Sequence, residues 1–191
     1  MNRRSYIKGI LALGTLSITS FSIFKWFDLS KSVSPEILLK KQRVIAEIAE
    51  MIIPVTDTPG AKAAGVDHYV IKIVTNCMST IQQNKFISGL NDLEQYAIDH
   101  FDKEFIQCSN ADKTAVIQYF ESHSGFSNRI INKINNKLFG APFYNKMKSL
   151  TVEGYCQSQL GATQGLAYDY IPGKFEACIP IQKNQKSWAT K

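Results

Sequence analysis

The sequence predicts an all-α fold: a compact helical bundle followed by an irregular, aromatic-rich C-terminal tail. Three observations predict it. Apolar residues recur at three- and four-residue spacing through most of the body, no stretch alternates apolar and polar residues as a half-buried strand does, and no repeat with a period of roughly 20–50 residues is present. Of the 191 residues, 45% are hydrophobic and 11% aromatic, more than a disordered chain carries and enough for a packed core. That length suits one domain with an appendage, read here as an N-terminal segment over 1–31 and a helical domain over 32–191, with 161–191 as its extended tail.

Taken in order, Ser34-Pro35-Glu36 reads as a helix start. Ser34 is the N-cap, Pro35 takes the first helical position, and Glu36 sits near the positive end of the dipole. Val44, Ile45, Ile48, Ile52 and Ile53 then share one face until Pro54 stops the helix. Lys40, Lys41, Arg43, Glu47 and Glu50 fall largely outside that stripe and read as a solvated face. Residues 54–65 form a Pro- and Gly-punctuated connection, and a short helix from Val66 to Met78 follows with Asp67 in its first turn. Phe86, Leu90, Leu93, Ala97 and Phe101 step by four, three, four and four, a helical stripe that tolerates Gly89 at a cost of about 1 kcal/mol. Ser109 or Asn110 caps the next helix, whose expected buried face is Ala115, Val116, Tyr119 and Phe120. Residues 122–128 break the pattern, and Ile130, Ile131, Ile134 and Leu138 resume it. Pro142 suits the first turn of a final helix that holds Phe143, Met147 and Leu150 and continues towards Tyr155. Beyond Gly161 the periodicity fades for about 30 residues, and irregular chain of that length tends to be functional or to wrap a surface.

Charge is unevenly placed. Residues 1–31 hold Arg3, Arg4, Lys8, Lys25 and Lys31 against Asp28 alone, so they carry most of the formal net charge of +6. The remainder, with 17 basic and 15 acidic residues, is near neutral and gives no basis for nucleic-acid binding. The opening Arg3-Arg4-Ser5-Tyr6-Ile7-Lys8 resembles the twin-arginine export signal of bacteria, with Arg3, Arg4, Tyr6 and Lys8 as its elements. The mildly apolar stretch from Gly9 to Phe24 is shorter than the ~20 residues that cross a bilayer comfortably. Small residues at Thr19, Ser20, Ser22, Ser30, Ser32 and Ser34 offer imperfect cleavage sites, and an uncleaved tether is the alternative. Twin-arginine substrates cross the membrane folded, so the chain is expected to be a cofactor protein or an escort of one.

The chemistry-bearing motifs of enzymes are missing. There is no Gly-x-Gly-x-x-Gly after a strand, no phosphate-binding Gly-Lys-Ser/Thr loop, no His-Glu-x-x-His and no Cys-x-x-Cys-His. His68, His100 and His123 are scattered, and Asp99, His100 and Asp102 point to different sides of a helix. No catalytic, cofactor-binding or metal-ligating residue is assigned. Cys77, Cys108, Cys156 and Cys178 would meet an oxidising compartment after export, where three disulfide pairings are open to them, as is remaining free.

Several separated blocks carry a family resemblance. These are Ile45-Ala46-Glu47-Ile48-Ala49-Glu50-Met51-Ile52-Ile53-Pro54, Thr56-Asp57-Thr58-Pro59-Gly60-Ala61-Lys62-Ala63-Ala64-Gly65-Val66 and Leu150-Thr151-Val152-Glu153-Gly154-Tyr155. Gly161-Ala162-Thr163-Gln164 and the stretch Tyr168-Asp169-Tyr170-Ile171-Pro172-Gly173-Lys174-Phe175 through Pro180 complete the set. Together they resemble the gluconate 2-dehydrogenase subunit 3 family over roughly residues 36 to 189. The resemblance implies a non-catalytic small subunit that supports maturation of a flavoprotein large subunit of the glucose-methanol-choline type and carries the export signal for both. It places FAD in that large subunit and haem c in a cytochrome c subunit, with the twin-arginine translocase as a further partner. The location implied is periplasmic, associated with the inner membrane through the complex. It also marks a contact surface: Thr56, Asp57, Pro59 and Gly60 in the loop, then Tyr155, Gly161, Thr163, Tyr168, Tyr170 and Phe175, the aromatics being the expected anchors. The competing expectation is a free-standing exported helical protein with a small ligand between its helices.

Overall fold

A computed structural model describes residues 35–125, 141–171, 173, 178, 180–181 and 183–189. The described chain is all-α. Its helices are α1 (Pro35–Lys40), α2 (Gln42–Ile52), α3 (Val66–Cys77), α4 (Thr80–Phe101), α5 (Asn110–Ser122) and α6 (Phe143–Gln157). A 3-10 turn at Phe105–Gln107 links α4 to α5, and a π-helical turn at Gly161–Gly165 follows α6. Among the described residues no helix is long and apolar enough to cross a membrane.

The expected helix from Pro35 to Ile53 is two helices. At Lys41 the amide donates to both Ile37 O and Leu38 O, a tightened turn that ends α1 before α2 begins. The Lys41 ammonium is paired with Glu94 of α4, which fixes the joint against the bundle. α2 stops as expected: Ile53 adopts an extended conformation (φ −129°, ψ 87°), as the residue before Pro54 must. Ser34 lies outside the described residues, as do Ile130, Ile131, Ile134 and Leu138.

The core is built from the predicted stripes. Val44, Ile45 and Ile48 of α2, Val66, Val70 and Val74 of α3, and Phe86, Leu90, Leu93 and Ala97 of α4 are buried together with Met147 and Leu150 of α6. α2 packs on α3, α3 on α6, and α4 on both α5 and α6. Gly89 is a contact and not merely a tolerated weak point. A Cβ there would lie 2.3 Å from Cβ and Cγ of Phe143, so the glycine lets the start of α6 lie directly on α4.

α5 is rotated relative to the expectation. Ser109 is the cap, its Oγ accepting from Asp112 N–H at 3.2 Å while Ser109 N–H donates to Asp112 Oδ2 at 3.3 Å, a capping box. The buried face is Lys113, Val116 and Ile117, whereas Ala115 and Tyr119 are exposed and Phe120 is half-buried. Two pulls account for this. Lys113 is drawn inward to Glu47 at 3.4 Å, and Tyr119 joins an aromatic column outside the core. That column runs His100, Tyr96, Tyr119, His123, with centroid spacings of 3.8, 4.2 and 4.2 Å. Pro142 precedes the final helix as its N-cap residue instead of entering its first turn.

Candidate functional site

The predicted contact blocks meet at Tyr155. The last turn of α6 points this ring inward, leaving it 7% exposed, and its hydroxyl donates to the Pro59 carbonyl at 2.7 Å. One side chain at the end of α6 therefore holds the loop that follows α2. The same residue organises the start of the tail. Ser158 Oγ donates to the Tyr155 carbonyl at 2.8 Å and accepts from Gly161 N–H at 2.9 Å. A Cβ on Gly161 would fall 1.9 Å from the Tyr155 carbonyl oxygen, and one on Gly165 would fall 2.6 Å from the Tyr155 hydroxyl. The π-helical turn can wrap the tyrosine only because both positions lack side chains.

The loop is held from its other side by Glu50. Its carboxylate accepts from Val55 N–H at 3.1 Å and from Lys62 N–H at 2.9 Å, bridging the two ends of the loop. A Cβ on Gly60 would lie 2.3 Å from Glu50 Oε1, so Gly60 makes room for the bridging carboxylate. Ala61 N–H donates to Ile53 O at 2.9 Å, and the Ala61 side chain is fully buried. Beside it, Glu47 receives Lys62 Nζ at 2.5 Å and Lys113 Nζ at 3.4 Å. The Lys62 hydrogen bond, opposed by burial and reinforced by the charge of Lys113, holds the Glu47 carboxyl below the usual carboxylate range. Glu47 and Glu50 are thus not the solvated face that their position outside the apolar stripe predicts. Sequence reasoning missed both as loop anchors, and also Ser158. The available signal was that both glutamates lie within the first motif block, about one and two helical turns before the loop.

The predicted contact residues divide by burial. Thr56, Asp57, Thr163, Tyr168 and Tyr170 are exposed, Pro59 is half-buried, and Gly60, Tyr155 and Gly161 are buried. Tyr155, expected as an anchor for a partner, is instead bound within its own chain, because its hydroxyl needs an acceptor and Pro59 supplies one. Phe175, and the export residues Arg3, Arg4, Tyr6 and Lys8, lie outside the described residues. All four cysteines are free thiols: Cys77 and Cys178 exposed, Cys156 half-buried and Cys108 buried. Burial pushes the Cys108 thiol above its ordinary range. Among its described residues the tail opens with a π-helical turn, where irregular chain was expected, and Ala167 pairs in parallel with Trp188.

His100 and His123 each place Nδ1 against the carbonyl four residues earlier, of Tyr96 at 3.0 Å and of Tyr119 at 2.8 Å. Among the described residues no group of three or more His, Cys, Asp or Glu side chains is placed to hold a metal ion. A cleft lined by Met78, Gln82, Lys85, Phe86 and Phe143 has a volume of about 80 Å³. A larger, more open groove of about 260 Å³ is lined by Leu39, His68, Ile71, Lys72, Thr75 and Asn76, close to the ~300 Å³ at which small-molecule sites begin.

The sequence pattern of the family described as gluconate 2-dehydrogenase subunit 3 matches residues 40–173, well over half of the chain. The chain belongs to this family. The matched span contains Glu50 and the loop it bridges, Tyr155, and the Gly161–Gly165 turn. It ends within the tail, so residues 178–189 are outside it. No curated protein and no solved structure matches the chain.

Proposed function

We propose that this chain is a non-catalytic small subunit of an exported dehydrogenase. It binds, matures and escorts a FAD-dependent large subunit of the glucose-methanol-choline type that oxidises a sugar or sugar acid. In this reading the flavin is in the large subunit, haem c is in a cytochrome c subunit, and the complex works on the periplasmic side of the inner membrane. What supports it is membership of a family of dehydrogenase subunits over the residues that build the Tyr155 junction. Those residues form no constellation of acid, base and nucleophile. They bind loop and tail side by side and leave Val55, Thr56, Asp57 and Thr163 exposed around the junction, a surface suited to a protein partner.

Escort rests on the N-terminal arginine pair. With Arg3→Lys and Arg4→Lys together, the flavoprotein is expected to accumulate in the cytoplasm, as read by fractionation and dehydrogenase activity in each compartment. Undiminished periplasmic activity in that variant would overturn the escort role.

A further inference from the structure

A groove runs between α1 and α3, and one face of α3 builds most of it. His68, Ile71, Lys72, Thr75 and Asn76 line it at three- and four-residue spacing, and Leu39 of α1 forms the other wall. The floor is apolar. Ile71 is 8% exposed, while Leu39, at 57%, leaves apolar surface in water for a ligand to cover. At about 30 Å³ for each water or methylene group, the groove's volume of about 260 Å³ holds an apolar chain of roughly eight carbons.

Two polar groups of the lining are unanswered within the described chain. The Lys72 ammonium has no partner among the described residues, while Asn76 Nδ2 donates to the Lys72 carbonyl at 2.9 Å. Thr75 Oγ1 is buried without a hydrogen-bond partner, and a buried polar atom of that kind calls for one. Lys72, Thr75 and Asn76 occupy i, i+3 and i+4 positions, so they are neighbours on the helix surface. The lining contains no carboxylate. Asp67 is buried and engaged by Gln42 Nε2 at 2.7 Å, with His68 Nε2 3.8 Å away. An anionic group at Lys72 would therefore meet donors and no acidic side chain of the lining.

We propose that this groove binds a small amphiphilic anion, a carboxylate or phosphate monoester on a short apolar chain. The head sits at Lys72, Thr75 and Asn76, and the chain lies over Ile71 against Leu39. The lining residues take no part in the Tyr155 junction, so the inference goes beyond the accessory role and does not depend on it. A free fatty acid and a lipid phosphate share this chemistry.

The test titrates the full chain with octanoate and with octyl phosphate, each below its micellar concentration, by calorimetry and chemical-shift mapping. Saturable binding is expected, with shifts centred on Leu39, Ile71, Lys72 and Thr75, and about threefold tighter than that of octanol, which has the same chain and no charge. Tighter octanoate would assign the site to a fatty acid and tighter octyl phosphate to a lipid phosphate; both uphold the proposal. Lys72→Ala and Thr75→Val should each weaken binding about threefold, and Leu39→Ser about fivefold. The melting temperatures of Lys72→Ala and Leu39→Ser should stay unchanged, because both side chains stand in water. Absence of saturable binding, shifts centred elsewhere, octanol bound as tightly as octanoate, or full affinity in all three variants would overturn the proposal. So would phosphatidylglycerol vesicles bound through Lys72 and Leu39 while neither soluble probe binds, which would reassign the groove to a membrane surface. Self-association abolished by Leu39→Ser, again with neither probe bound, would overturn it in favour of a second copy of the chain.

Discussion

Tyr155→Phe isolates the bond on which the junction depends. The substitution keeps the ring that packs under Gly165 and removes only the hydroxyl that donates to Pro59 O at 2.7 Å. A neutral hydrogen bond contributes about 1 kcal/mol net, and an acceptor left unpaired costs about 1–3 kcal/mol when fully buried. Pro59 is half-buried, so water reaches its carbonyl in part and the lower end applies. We expect a loss of about 1–2 kcal/mol, which in a domain of this size lowers the melting temperature by about 2–8 °C. The loss should be local in origin. Amide exchange at Ala61 and Lys62 should quicken, while exchange in the middle of α4, away from the junction, should keep its margin below global unfolding. Thermal denaturation by circular dichroism and native-state exchange measure the two parts. A melting temperature within about 1 °C of wild type, with unchanged exchange in the loop, would refute the claim that Tyr155 holds the loop.

Other perturbations test the packing and the charges. Gly89→Ala gains about 1 kcal/mol of helix propensity but drives a methyl into Phe143, and overpacking of this kind costs about 1–3 kcal/mol, so urea denaturation should show a net loss that Phe143→Ala in the same chain reduces. Thr151 is fully buried with its Oγ1 unpartnered, so Thr151→Val should raise stability by about 1 kcal/mol in the same assay. The folded-state pKa of Glu47 is depressed, so its pairs stabilise the fold above the unfolded value of about pH 4.3, and that contribution is lost as pH falls through the folded value. Glu47→Gln should therefore be less stable than wild type at pH 7, where it leaves the buried Lys113 without its carboxylate, and the gap should narrow as pH falls below the unfolded value and close only once pH has passed below the folded one.

The fold class and most of the core were legible because apolar spacing reports which face of a helix is turned inward. The α4 stripe from Phe86 to Ala97 is buried as its periodicity demands. The method failed where a polar or aromatic side chain had a partner distant in sequence. Lys113 is buried because Glu47, 66 residues away, receives it, and Tyr119 is exposed because Tyr96 offers a ring to stack on. No local pattern carries that information. The joint at Lys41 was missed for a related reason, since the sequence around it is helical and a bond to Glu94 in another helix marks the break. At the candidate site the right blocks were visible, but their division of labour was not. Proline and glycine signal a turn without saying which carboxylate will bridge it.

That division bears on what the motif blocks are for. The loop block and the tail block each contain both buried and exposed members. In the loop, Gly60 is buried against Glu50 while Thr56 and Asp57 face outward. In the tail, Gly161 is buried against Tyr155 while Thr163, Tyr168 and Tyr170 are exposed. A contact surface needs a fixed shape, and a loop and a tail from distant parts of the chain have none unless something joins them. The Tyr155 hydroxyl, the Glu50 carboxylate and the glycines that admit them supply that join. The two groups should then fail differently: buried members through stability and the spacing between loop and tail, exposed members through affinity alone. Under the proposed accessory role, a change at Gly60 or Gly161 should therefore weaken binding of the large subunit in step with the loss of stability, because it displaces the surface that the exposed members form.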